Sequence, residues 1–101
     1  MAIVLMSRLP HTPLGSGNAR LYSVYLQLTP EEAEVMQRPP FASSTDLAAT
    51  FTTTDFAPKQ IRYDKANRQM GIDYMGTAQS GSAIDMGDLC RLAVEHVLSQ
   101  H

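Results

Sequence analysis

The chain has 101 residues, 44% of them hydrophobic, which is enough for a single globular domain over residues 1–101 with one modest core. Its formal net charge of -2 excludes an overall basic field of the kind that attracts nucleic acid or anionic membrane. One cysteine cannot form an intramolecular disulfide, so we expect a reducing compartment, the cytoplasm.

The first segment, Ala2 to Leu9, is apolar on both alternating faces, with Ile3 and Leu5 on one side and Val4 and Met6 on the other. This pattern is typical of a strand that is covered on both sides, by helices of the same chain or by a second subunit. The segment is far too short to span a bilayer, so we expect no membrane association.

A loop rich in glycine and proline follows, and the alternation from Ala19 to Leu28 is cleaner. One face would carry Tyr22, Val24, Leu26 and Leu28, and the other Leu21, Ser23, Tyr25 and Gln27. We therefore predict a second strand with one buried face.

Thr29 and Pro30 predict the start of a short helix, because a hydroxyl can cap the first turn and proline suits the first helical position. The Pro39 and Pro40 pair is expected to end this helix after Arg38. Acidic side chains near the start favour the positive end of the helix dipole. They belong to Glu31, Glu32 and Glu34.

The next segment, Phe41 to Asp46, is predicted to be a polar connector. From Leu47 to Phe56, four threonines surround Phe51. This composition favours a β conformation on a partly exposed surface, so we predict a third strand there.

Gln60 to Met75 predicts a hairpin around a four-residue loop, Asp64 to Asn67. Such a loop would pair Ile61 with Met70 and Tyr63 with Arg68. One buried face would then carry Ile61, Tyr63, Met70, Ile72 and Tyr74.

The last segment, Asp85 to Gln100, has the apolar period of a long helix, which either Ser82 or Asp85 could cap. Its buried stripe would comprise Met86, Leu89, Cys90, Ala93, Val94 and Val97. The order of elements predicts an α+β two-layer domain: a mostly antiparallel twisted sheet of four to five strands, with the long C-terminal helix packed on one face and one short helix.

Three features of the sequence are candidate sites for chemistry. The loop Gly76 to Ser82 could hold an anion between a strand and a helix, which would suit an anion- or nucleotide-binding enzyme, but it lacks the lysine of a phosphate loop. Cys90 lies in the apolar stripe and is expected to be a buried small side chain rather than a nucleophile. The three histidines show no metal-ligand spacing. We therefore expect no enzyme activity, no catalytic residue, no cofactor and no metal site.

The hairpin gathers basic residues around one aromatic residue, a combination that could contact phosphates and stack a base. These residues are Lys59, Arg62, Tyr63, Lys65 and Arg68. A nucleic-acid-binding accessory protein is therefore the alternative function. Asp55 and Asp64 dilute this charge, and a solvated hairpin with Tyr63 in the core is the simpler interpretation.

The chain has more apolar residues than one two-layer core would hold, and apolar surface of this kind is normally covered by a partner. The surplus comprises Ile3, Leu5, Leu21, Tyr25, Leu92 and Leu98. A symmetric dimer is the commonest arrangement. The sequence therefore favours a small non-catalytic protein-binding module, a homodimer that acts as inhibitor or accessory subunit of a larger protein machine. The expected partner-binding residues are Tyr25, Glu31, Glu32, Glu34 and Leu92.

Overall fold

A computed structural model describes residues 2–8, 19–77 and 83–101. Within these residues, four strands and three helices follow one another. They are β1 (Ile3–Arg8), β2 (Ala19–Gln27), α1 (Pro30–Met36), α2 (Leu47–Phe51), β3 (Gln60–Asp64), β4 (Gln69–Thr77) and α3 (Ala83–Ser99). The strands form one antiparallel sheet in the order β1-β2-β4-β3, and α3 packs on it as the predicted α+β two-layer architecture requires.

The core lies between the sheet and the helices, on the side of the sheet that we call the inner face. The alternation in β2 is confirmed from Leu21 to Gln27, where the even-numbered side chains are buried and the odd-numbered ones are only half-buried. α3 contacts β1, β2 and α1, and α2 contacts β3. The inner face therefore carries the hydrophobic core, and the described side chains of the opposite, outer face are exposed or half-buried.

The predicted start of α1 is confirmed by a reciprocal capping box. The Thr29 hydroxyl accepts a hydrogen bond from the Glu32 amide at 3.2 Å, and the Glu32 carboxylate accepts one from the Thr29 amide at 2.8 Å. Both bonds satisfy amides that the first helical turn leaves without partners. The helix ends at Met36 with Gln37 as its C-cap, slightly before the expected end at Arg38.

The prediction of a strand from Leu47 to Phe56 is wrong, because the segment begins with the helix α2 and continues as irregular chain. Asp46 caps α2 by accepting a hydrogen bond from the Ala49 amide at 3.2 Å. The Thr50 and Thr52 hydroxyls donate to carbonyl oxygens four residues earlier, at 3.1 and 2.7 Å. These local bonds accommodate threonine in a helical turn, so β propensity does not decide the structure.

The hairpin of β3 and β4 forms as predicted, but the predicted pairing was wrong by two residues. Ile61 lies opposite Ile72, and Tyr63 lies opposite Met70. The Asp64 carboxylate accepts hydrogen bonds from the Ala66 and Asn67 amides, so the loop is residues 65–68 rather than 64–67. A shift of two residues leaves each side chain on its predicted face, because side chains alternate with a period of two.

β1 contains a bulge that the alternating pattern did not predict. Val4 pairs with Leu26 and Met6 with Tyr25, so that Leu5 is an extra residue opposite β2. Met6 therefore shares the outer face with Tyr25, and the expectation that Met6 lies on the same face as Val4 is wrong.

α3 forms over almost the predicted range, but its buried stripe is turned toward Val94 and Leu98. Leu98 is buried and is not surplus, whereas Leu89 is exposed. The reason is Gly87, at which an added Cβ would lie only 2.9 Å from the Ser7 Cβ of β1. The missing side chain lets the helix approach the strand closely.

The start of α3 at Ala83 places Asp85 inside the first turn and not at the cap position. The other candidate cap, Ser82, lies outside the described residues. Most of the Gly76 to Ser82 loop does so too. Gly76 and Thr77 belong to β4, where they pair with Arg20 and Ala19 of β2.

Candidate protein-binding surfaces

In the described part of the sheet, the exposed large apolar residues belong to β1. Ile3, Leu5 and Met6 are 63%, 50% and 49% exposed. We call these three residues the β1 patch. The bulge produces it, because a regular strand would turn one of two consecutive side chains toward the core. Tyr25 lies beside the patch and, with Leu5, Met6 and Gln69, lines a shallow depression of about 350 Å³.

A polar cluster adjoins Tyr25 on the outer face. The Arg62 guanidinium binds both carboxylate oxygens of Asp73, at 3.0 and 3.3 Å, and the Ser23 hydroxyl lies 3.4 Å from one of them. The hydrogen bonds to Asp73 raise the pKa of Arg62 above its usual value. Arg62 is therefore engaged within the sheet, with its charge balanced by a neighbouring strand.

A second apolar area lies on α3, on the helix side of the molecule. Leu89 and Leu92 are 38% and 58% exposed, and both line a groove of about 490 Å³ between α3 and residues 53–56. We call this cleft the α3 groove. Its other apolar residues are Ala93 and Phe56, and the buried ring of Phe56 stacks on Tyr74 at 5.5 Å.

The polar residues of the α3 groove differ between its two sides. Asp55 and two threonines come from the segment before β3, and His96 comes from the next turn of α3 after Leu92. Leu89, Leu92 and His96 are spaced at i, i+3 and i+7, so they lie along one stripe of the helix. This stripe and the segment 53–56 line the two sides of a groove, a form that suits one face of a helix.

The predicted partner-binding residues do not form one surface. Tyr25 lies on the outer face of the sheet, whereas Leu92 lies on the helix side. Glu31 and Glu34 are exposed on α1, and Glu32 is engaged in the capping box. The residues that the sequence missed are Met6, Leu89 and Phe56. Only Leu89 had a detectable signal, since it is spaced three residues from Leu92.

The structure separates the basic residues of the hairpin. Arg62 lies on the outer face, while Tyr63 points to the core side, where burial raises its pKa. Lys65 and Arg68 lie in the exposed loop, where Arg68 has the left-handed φ of 55°. Lys59 precedes β3. Tyr63 is half-buried and lies near the charge of Arg68, whereas Arg62 lies on the opposite face of the hairpin, so the five residues do not form one stacking surface.

Cys90 is a buried core residue, as the sequence indicated. It is fully inaccessible to solvent, and burial raises the pKa of its thiol to about 12. A neutral thiol is a poor nucleophile. Within residues 2–8, 19–77 and 83–101, no three His, Cys, Asp or Glu side chains lie close enough together to hold a metal ion.

The helices in the described part of the chain all fall short of the length and hydropathy that a membrane span requires. Comparison of the sequence with protein-family models and with curated proteins, and of the structure with solved structures, finds no match. The geometry of the two apolar surfaces is therefore the basis for a functional assignment.

Proposed function

We propose that this chain is a non-catalytic protein-binding module of the cytoplasm, an accessory subunit or stoichiometric inhibitor that acts as a homodimer. The observation that carries the proposal is the α3 groove, where Leu89 and Leu92 remain exposed although the same helix buries its opposite stripe. Exposed apolar side chains that line a cleft are typical of protein-binding sites.

The groove also indicates the chemistry of its partner. Its apolar floor and helical stripe suit an amphipathic helix whose apolar residues recur every three or four positions. Asp55 on the rim favours a basic residue beside that apolar face. Burial raises the pKa of the Cys90 thiol, which does not favour a role for this residue as a nucleophile.

The test begins with capture of partners by the purified chain from a lysate of its native host, with and without nuclease. The captured protein is then produced separately, and its affinity is measured by calorimetry. We expect one stoichiometric protein that survives nuclease and a loss of at least about tenfold in affinity for Leu92→Glu.

Lys65→Gln is the matched control, because it changes the net charge by the same amount at an exposed loop far along the chain from the groove. Its affinity should equal that of the parent. Binding that is unaffected by Leu92→Glu would exclude the groove. Capture of nucleic acid alone, or loss of the partner with nuclease, would favour the nucleic-acid alternative.

A further inference from the structure

The two edges of the sheet differ in how they are protected against pairing with another strand. β3 is one edge, and it bears Arg62 and Asp64 with Lys59 and Lys65 just beyond its ends. Charged side chains are a common means by which proteins keep an edge strand from pairing. This edge is therefore protected.

β1 forms the opposite edge, and its one charged residue, Arg8, lies at its C-terminal end. From Ile3 to Ser7 it has no charged residue and no proline. β2 pairs with one side of it, and no other described strand pairs with the second side. Half of its backbone amides and carbonyls are thus directed to an edge where a further strand would satisfy them.

The rest of β1 is held firmly enough to serve as a template. On the inner side, Ser7 and Val4 contact α3 at Gly87. Just before the strand, the Ala2 amide donates a hydrogen bond to the Glu95 carboxylate at 3.0 Å. The strand is consequently held by β2 and α3, and among the described strands none pairs with its other edge.

We infer that β1 pairs antiparallel with β1 of a second copy and joins the two four-stranded sheets into one continuous sheet. The occupant is a second copy because an uncharged stretch can lie beside itself without like-charge repulsion, and a two-fold axis makes identical strands antiparallel. The two β1 patches then meet around that axis and cover each other.

The area buried between the two β1 strands limits the affinity of the dimer. A strand of six residues is about 20 Å long. Standard interfaces bury about 800 Å² on each partner, which is more than a single strand edge of this length provides. The outer-face side chains must therefore contribute, and we expect a dimer that dissociates on dilution in the micromolar range.

This inference deepens the proposed function by naming the surface of the homodimer, and it also has a geometric consequence. A two-fold axis perpendicular to a sheet keeps the same face upward in both copies. Both α3 grooves would then open on the same side, so the dimer would present two equivalent sites to one partner assembly.

Sedimentation velocity from about 5 to about 500 µM tests the inference. We expect the mass to rise from monomer to dimer over this range for the parent chain and to stay monomeric, or to shift at least about tenfold upward in concentration, for Leu5→Lys. Leu92→Lys is the matched control and should dimerise like the parent, because it adds the same charge on α3. Ile3→Lys, at the most exposed position of the patch, replaces Leu5→Lys if circular dichroism shows that the latter does not fold.

A second measurement identifies the strand. In a mixture of isotope-labelled and unlabelled chains, β1 amides should show intermolecular contacts with β1, and their hydrogen exchange should slow as concentration rises. A monomer throughout the range, a dimer that Leu92→Lys abolishes, or contacts from any other strand would overturn the inference. A monomer that still binds a partner through the α3 groove would leave the proposed binding site standing.

Discussion

The two sides of β1 have the same backbone and opposite surroundings. Toward α3, the strand packs so closely that the helix has a glycine at the point of contact. Away from it, Ile3, Leu5 and Met6 are about half exposed. The comparison shows that burial in this small domain is decided by which face receives the helix layer, since the exposed side of the strand has more apolar residues than the side with Val4 and Ser7 that packs on α3.

The largest expected difference between the faces comes from truncating one leucine on each. Leu26 is fully buried on the inner face, so Leu26→Ala should lower the free energy of unfolding by about 2–5 kcal/mol. Leu5→Ala on the outer face should change it by less than about 0.5 kcal/mol when the chain is monomeric. Urea unfolding at about 1 µM, followed by circular dichroism, measures both values. Equal losses would show that the outer face is also packed.

Two glycines give a sharper comparison. An alanine methyl at Gly87 would press on the Ser7 Cβ at 2.9 Å, whereas at Gly71 it would meet a ring carbon of Tyr25 and a guanidinium nitrogen of Arg62 at the longer distances of 3.2 and 3.3 Å. Gly87→Ala should therefore lower the free energy of unfolding by about 1–2 kcal/mol, although alanine favours a helix by about 1 kcal/mol. Gly71→Ala should stay within about 0.5 kcal/mol of the parent. Unfolding curves of the two variants provide the measurement, and a stabilised Gly87→Ala would contradict the close approach of α3.

The smallest expected effect is a loss of stability at alkaline pH, and it comes from Cys90 in the core. Because burial raises the pKa of Cys90 to about 12, the folded chain keeps its thiol proton at a pH where the unfolded chain, with a pKa near 9.0, has lost it. The stabilising contribution is complete below about pH 9 and decreases as pH rises toward 12. At pH 10, the free energy of unfolding of the parent should have fallen by up to about 1.4 kcal/mol more than that of Cys90→Ala, each relative to its own value at pH 8. Parallel slopes for the two chains would show that the thiol is accessible.

The sequence predicted those parts of the fold that depend on local chemistry. Alternation in β2 assigned its buried face correctly, and Thr29 with Glu32 identified the start of α1. Threonine content suggested a strand where Asp46 caps a helix, because propensity competes with hydrogen bonds that composition does not show. The hairpin register depended in the same way on the Asp64 carboxylate, which closes a loop one residue later than expected.

The candidate sites were less predictable, because they depend on how elements rotate against each other. Leu98 was expected at the surface and Leu89 in the core, and the close contact at Gly87 reverses them. Leu92 was identified correctly as exposed, but its groove also needs Phe56, from a segment that was assigned the wrong structure. Periodicity along one helix contains no information about the segment opposite it.

The bulge at Leu5 has a consequence for how this protein could change over evolutionary time. A deletion of this one residue would restore regular alternation, so that Met6 would be the single outward side chain between Val4 and Ser7. The apolar row would shorten while every inward contact with α3 remained in place. Insertion or deletion of one codon, without any substitution, could therefore separate lineages that assemble from lineages that do not.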